Sequence, residues 1–308
     1  MSRLRNVGLV AGFDLYESLR SLKALALILI YVLIAFGATA LFSQAVNGLF
    51  EEVTEKLGPQ AADKLLESDE MLELVTKLTG NEADARELLR IPFIALFYQG
   101  VIVTFMPLIM VLTSSDAISG QIASGAARFS LFRTDRASWA LGKLVGQAAL
   151  MMVGILVGAL VCWGTGMALL DRIDAANALY WLLRMSFRGA FYGFAYLGIA
   201  LCASQLVRTN FAARGIALAI AMGCFVAGRI FTSMRVRALM DQGKDLTPEE
   251  LDNYLGVWGV LGKLVPSGHA GALIKPDVAE RAGGMLGLLL IGLAFFGLGF
   301  WRLYRRDA

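Results

Sequence analysis

Six long stretches of this chain contain no Asp, Glu, Lys or Arg: Ala24 to Phe50, Ile91 to Ser115, Leu144 to Leu170, Gly189 to Val207, Gly215 to Gly228, and Ala282 to Trp301. A hydrocarbon core of about 30 Å takes about 20 helical residues to cross. Five of the stretches suffice unaided. The fifth, Gly215 to Gly228, is short but runs on through Arg229 into Ile230 and Phe231, and an arginine near a helix end can snorkel to the headgroups. Composition agrees: 57% of residues are hydrophobic and 17% charged, where soluble domains carry about 25% charged residues. The chain therefore reads as one all-α polytopic membrane domain over residues 1–308, with transmembrane helices at 24–46, 91–114, 144–170, 186–207, 212–233 and 282–302. The first apolar run starts at Ala24 and is too long for a signal-peptide core, so it is expected to stay as an anchor.

Basic residues set the orientation. Loops that would share a side with the N-terminus hold 13 basic residues against five acids, and the opposite side holds 15 against 20. Both termini and the 115–143 segment are expected to be cytoplasmic, leaving 47–90 and 234–281 as extracytoplasmic segments. Residues 4–22 sort by face, with Leu9, Phe13, Leu15, Tyr16, Leu19 and Leu22 on one half and Asp14, Glu17, Ser18 and Ser21 on the other. That pattern predicts a helix lying in the membrane interface. Val7, Val10, Arg5 and Arg20 break it, which keeps open a simple extension of the first span.

Residues 51–90 carry 11 acids and five bases. Leu65, Leu72, Val75 and Leu78 recur at helical spacing, with Gly58-Pro59 and Gly80-Asn81 as breaks, so a small outer cap of two or three amphipathic helices is expected. Thr247-Pro248-Glu249-Glu250 supplies a second helix start, leading to a short helix through Trp258 and a Gly- and Pro-punctuated return. Pro107 should kink the second span. In the third, Gly142, Gly146, Gly154, Gly158 and Gly166 fall on one i, i+4 series, a surface for close helix approach inside the chain or across a subunit boundary. Gln99, Arg184, Arg188 and Arg229 are the polar candidates for lining a pathway. Snorkelling at helix ends explains the arginines without any function, and Gln99 could be interhelical glue as easily as pathway lining.

Chemistry within the chain is not expected. No phosphate-cradling Gly-x-x-x-x-Gly-Lys-Ser/Thr occurs, and one histidine leaves little for metal sites or serine–histidine catalysis. Cys162, Cys202 and Cys224 all lie in apolar windows without paired spacing. Pro266-Ser267-Gly268-His269 resembles the central motif of the phosphatidic-acid phosphatase superfamily. That family also needs a second histidine and an Arg-Pro pair, and neither is present, so the stretch reads as a turn.

The polar island from Ser114 to Lys143 carries more information. Asp116, Ile118, Ser119 and Gly120, then Gly125 and Arg128, then Arg136, then Gly142-Lys143 resemble in order and spacing the signature of ABC-2 type transporter permeases, the membrane subunits of ATP-binding-cassette exporters. Three positions depart from it. Gln121 stands where Glu is usual, Ala126 where Thr is common, and the turn before Arg136 lacks its Pro.

The resemblance implies a membrane permease subunit in the cytoplasmic (inner) membrane of a prokaryote, forming the translocation path as a dimer, expected to be a homodimer with a heterodimer as the alternative. A separate cytoplasmic ABC ATPase would bind ATP and Mg, leaving this chain non-catalytic and without a cofactor of its own. The coupling positions it implies are Asp116, Ile118, Gly120, Gln121, Gly125, Arg128, Arg133 and Arg136, helped by the N-terminal helix. Membrane lipid is a partner, nucleic acid is not, and the outer 47–90 segment is open to an extracytoplasmic partner. Two other readings stand beside export: a scaffold on the same fold that relays ATPase movement to such a partner without transport, and a secondary transporter. The latter normally needs a midplane acid or a broken helix, and no Asp or Glu lies inside any of the six windows.

Overall fold

The structure, a computed structural model, describes residues 3–57, 72–73, 76, 82–170, 173–241 and 256–305. Among these residues there are helices and no strand. In chain order they are α1 (Arg3–Arg20), α2 (Leu22–Leu57), α3 (Glu82–Leu89), α4 (Phe93–Ser114), α5 (Ser119–Ala123), α6 (Ala126–Leu131), α7 (Arg136–Leu169), α8 (Ala175–Leu206), α9 (Asn210–Asp241), α10 (Val257–Leu264), α11 (Pro266–His269), a 3-10 turn (Gly271–Ile274) and α12 (Val278–Arg305). Six helices, α2, α4, α7, α8, α9 and α12, are long and apolar enough to cross a membrane. The cap helices expected from Leu65 to Leu78 and the helix start at Thr247 fall largely or wholly outside the described residues.

Several of these helices outrun the charge-free windows. The α8 helix begins at Ala175, well before the expected start of that span at 186. Short polar residues with extended backbone start α7 and α8. Asp135 accepts from the Ser138 N–H (3.2 Å) at the head of α7, and Asp174 accepts from those of Ala176 (3.0 Å) and Asn177 (3.2 Å) at the head of α8. Each side-chain oxygen satisfies an amide that has no partner in the first turn. The α4 helix continues through Pro107 to Ser114.

The centre of the bundle is α8, the most deeply buried of the six, packed against α4, α7, α9 and α12. Its tightest seam is with α12. A Cβ added at Gly198 would sit 2.1 Å from the Gly292 carbonyl oxygen, so the two backbones touch directly. Without a hydrophobic drive between helices in lipid, such small-residue contacts supply the packing. All but Gly154 of the glycine series of α7 are likewise used inside the chain, by three different neighbours. Gly142 and Gly146 face α1, Gly158 faces Tyr31 and Tyr98, and Gly166 faces Ile94. Beside Gly158 the buried Tyr98 hydroxyl donates to the Ile155 carbonyl (2.5 Å) and lies 3.2 Å from that of Tyr31.

Pro266-Ser267-Gly268-His269 is a structural joint. The Ser267 hydroxyl donates to the Cys224 carbonyl of α9 (3.0 Å), and His269 donates from Nε2 to the Lys263 carbonyl of α10 (2.8 Å). The imidazole also lies against Gly287 of α12.

Candidate functional site

The segment from Ser115 to Asp135 closes one end of the bundle, and its first signature residues, Asp116 to Gly120, point inward. Asp116 is bridged from two helices at once. Lys23, at the head of α2, reaches its two oxygens at 2.6 and 2.7 Å, and Arg214 of α9 reaches one at 2.5 Å. Ile118 is fully buried. The backbone N–H groups of Ile118 and Ser119 both donate to the Ser204 hydroxyl at the end of α8 (3.0 and 2.9 Å), and the Ser119 hydroxyl donates to the Asn210 side-chain carbonyl (3.3 Å). Gly120 packs on the same asparagine, with room for a Cβ only at 3.4 Å. Asp116, Ile118, Ser119 and Gly120 thus latch the segment to the α8–α9 turn and to the head of α2.

Beyond the latch the chain turns outward. Gly125 takes a left-handed conformation (φ 77°) that a side chain would strain, and α6 starts there. Its Phe129 is 78% exposed and Phe132, just past its end, 86%; Arg128 and Arg133 are exposed beside them. Phe211, one residue past the Asn210 that holds the latch, is 90% exposed. Of the eight positions implied by the signature, Arg128 and Arg133 are the ones facing out. Arg136 donates to the Tyr304 carbonyl in the last turn of α12 (3.0 Å) and so ties α7 to that helix end, where a cation is favoured. Gln121 places a buried carbonyl oxygen where it accepts no hydrogen bond. Asp135, at the hinge into α7, has its carboxyl held below the ordinary aspartate range, chiefly by hydrogen bonds from Ser138.

The α1 helix is separate from α2, the chain breaking at Ser21, and it runs along the first turns of α7. Leu9, Phe13, Tyr16 and Leu19 are exposed on its outer side, as an amphipathic helix requires. Its inner side corrects the wheel. Val7 and Val10 face Gly142, and Asp14, expected on a solvated face, is buried at Gly146. There Asp14 forms an ion pair with Lys143, and its second oxygen accepts from Gln147 Nε2 at 2.8 Å. Gln147 accepts in turn from the Ser114 hydroxyl (3.0 Å) at the end of α4.

The four pathway candidates have separate settings. Arg184 donates to the Tyr180 hydroxyl (3.1 Å) and lies over the Trp181 ring at 4.9 Å, and Arg229 is exposed over Phe225 at 5.2 Å. Both fit snorkelling side chains. Arg188 is buried and donates to the Leu273 carbonyl (3.3 Å), fastening α8 to the 3-10 turn. Gln99 is buried against Gly189 of α8, and neither of its side-chain polar atoms has a hydrogen-bond partner.

Sequence reasoning missed the partners of the latch: Lys23, Ser204, Asn210 and Arg214. It also missed the pairing of Asp14 with Lys143. A signal for the last was present, because Val7 and Val10 mark a second apolar face on α1 with Asp14 in line with it. Among comparisons with known proteins, a family model described as ABC-2 family transporter protein matches residues 9–308. No curated protein matches the sequence.

Proposed function

Since the chain belongs to the ABC-2 family of transporter proteins, we propose that it is the membrane subunit of an ATP-driven exporter in the cytoplasmic membrane of a prokaryote. It works as a dimer, and a separate ATPase that binds ATP and Mg docks at the end of the bundle formed by α5 and α6. That end faces the cytoplasm together with both termini. The observation that carries this reading is the two-sided build of the 115–135 segment. Asp116, Ile118 and Ser119 are spent on internal bonds to α2, α8 and α9, while Arg128, Phe129, Phe132 and Arg133 are left uncovered on and just past α6.

A segment fastened this way can pass displacement into the bundle. A push on α6 is borne by Asp116 and Ser119, and through them by the heads of α2 and α9 and the tail of α8. Rigid-body movement of packed helices is the usual outcome when such bonds hold. Export then follows ATP-driven closure of the ATPases beneath the dimer.

The test is purification of the full-length chain from its native membrane in mild detergent, followed by hydrolysis assays in lipid nanodiscs. A Walker-type ATPase that co-purifies, and whose hydrolysis depends on this chain, supports the reading. Failure of any such ATPase to associate overturns it. Reversing charge at Arg128 and Arg133 should weaken the association while leaving the melting temperature within a degree or two.

A further inference from the structure

We propose that the buried Asp14–Lys143 pair sets the register of α1 on α7 and makes the two helices one lever, so that a load on α1 is delivered to the third span rather than lost by sliding. The part that concerns load rests on the coupling reading above; the part that concerns register stands without it.

The apolar contacts between these helices leave their axial position open. On α1 the inner face is Val7, Val10 and Ala11, and on α7 it is the small-residue series that repeats every four residues at Gly142 and Gly146. Contacts advance together along both helices: Val7 and Val10 meet Gly142, while Ala11 and Asp14 meet Gly146. A slide of one turn, about 5.4 Å, would set the same valines against Gly146 and move Ala11 and Asp14 from Gly146 toward Leu150. One-turn ratchets of packed helices are a known mode of switching.

Asp14 removes that freedom. It and Lys143 are each 3% exposed. Both carboxylate oxygens are engaged in the present register, one by Lys143 and the other by Gln147. Gln147 Nε2 also lies 3.3 Å from the Ser18 hydroxyl, one turn further along α1. After a one-turn slide the Asp14 carboxylate would face Leu150 or the backbone, and Lys143 would be left without it. A buried charge parted from its partner is strongly disfavoured, whereas replacing both partners by apolar groups is often nearly neutral. Fixing register is the best-attested use of such a pair. The glycines set the depth: a Cβ at position 146 would come within 2.8 Å of the Asp14 carboxylate. Gln147 extends the lock to Ser114, the last residue of α4 before the latched segment. The load path from α1 and the load path from α5–α6 therefore meet at one residue.

The experiment uses the full-length chain in nanodiscs with its co-purified ATPase. Arg3 and Asp135 fall at matching positions at the exposed starts of α1 and α7, because the two helices run side by side with Val10 at Gly142 and Asp14 at Gly146. Cysteines at these two positions, joined by a short bifunctional thiol reagent, read register directly. Cross-linking is expected to be efficient in the otherwise native chain and to fall at least about fivefold when Asp14→Leu and Lys143→Met are introduced together. That double substitution avoids leaving either charge alone, so the chain should still fold. The Lys143→Arg variant keeps the pair and should keep the cross-link, which covers the case in which the double variant does not fold. ATPase stimulation should drop about tenfold or more in the double variant and survive in Lys143→Arg. Undiminished cross-linking in the double variant, or its loss in a folded Lys143→Arg chain, overturns the register assignment. Lost cross-linking with unchanged stimulation overturns the lever. A wild-type chain that binds no ATPase sinks the coupling reading and leaves the cross-link to decide the register alone.

Discussion

Replacing Phe129 and Phe132 together by Ala should separate docking from folding more cleanly than any charge change. The rings are 78% and 86% exposed. A fully covered Phe removes about 150–250 Å² from water, so about 120–200 Å² per ring remains for a partner to cover. At about 25 cal/mol per Å² the ceiling is about 3–5 kcal/mol each. Ordering of side chains and imperfect packing at an interface reduce that to about 1–2 kcal/mol per ring. The double variant should then bind its ATPase about 30- to 800-fold more weakly. The rings touch little of the rest of the chain, so thermal stability should stay within about 0.5 kcal/mol of the parent. The assay is equilibrium binding of the co-purified ATPase to nanodisc-embedded chain, with melting temperature read on the same sample. Binding within about threefold of the parent would refute the docking face, whatever the melting temperature did.

Ser204→Ala removes the one hydroxyl that accepts from the Ile118 and Ser119 amides, and two buried donors without a partner should cost about 2–4 kcal/mol together. Its melting temperature should fall and trypsin should cut faster at Arg128 and Arg133; no change in either would show that the latch carries no strength. Gly198→Ala sets a methyl within 2.1 Å of the Gly292 carbonyl oxygen, where only backbone can give way. It should cost at least about 1–3 kcal/mol, measured by melting against Gly154→Ala, whose Cβ meets nothing within 4 Å. Equal melting temperatures for these two would overturn the close-approach account of the α8–α12 seam.

The membrane fold was legible because charge exclusion from a hydrocarbon core is a one-dimensional rule, and the six windows obey it. Helix ends were less so. Arg188 lies in the interior of α8, and no local pattern announces that its guanidinium will reach the Leu273 carbonyl of a later turn. The signature around Asp116 was legible as a pattern, and a motif fixes residue types and spacing but not which way they face. Lys23 and Arg214, separated from Asp116 by 93 and 98 positions, turn it inward, and such partners are invisible to periodicity. Phe129 and Phe132 are apolar residues three apart, yet both are uncovered. The α1 wheel failed for a related reason. A helix with one face to lipid and another against glycines has two apolar faces, and Asp14 falls on the second.

Gln121 brings these strands to a test of the signature itself, since it stands where the resembled permeases usually carry Glu. On sequence alone the exchange reads as the loss of a carboxylate for the ATPase. Its side-chain carbonyl oxygen, however, is buried and accepts no hydrogen bond, while exposed Arg128 and Arg133 lie further along the segment. A carboxylate oxygen in the same place would be a charge removed from water without a donor, dearer than the neutral oxygen, which itself costs about 1–3 kcal/mol. Gln121→Glu should therefore destabilise the chain by about 2 kcal/mol or more and leave ATPase affinity no tighter. Gln121→Met, which deletes the orphan oxygen at similar length, should be neutral or stabilising and keep its affinity. Melting temperature and equilibrium binding on the two variants check this together. Tighter binding by the Glu variant at unchanged stability would mean that position 121 faces the ATPase after all, and that α5 sits differently when the partner is bound.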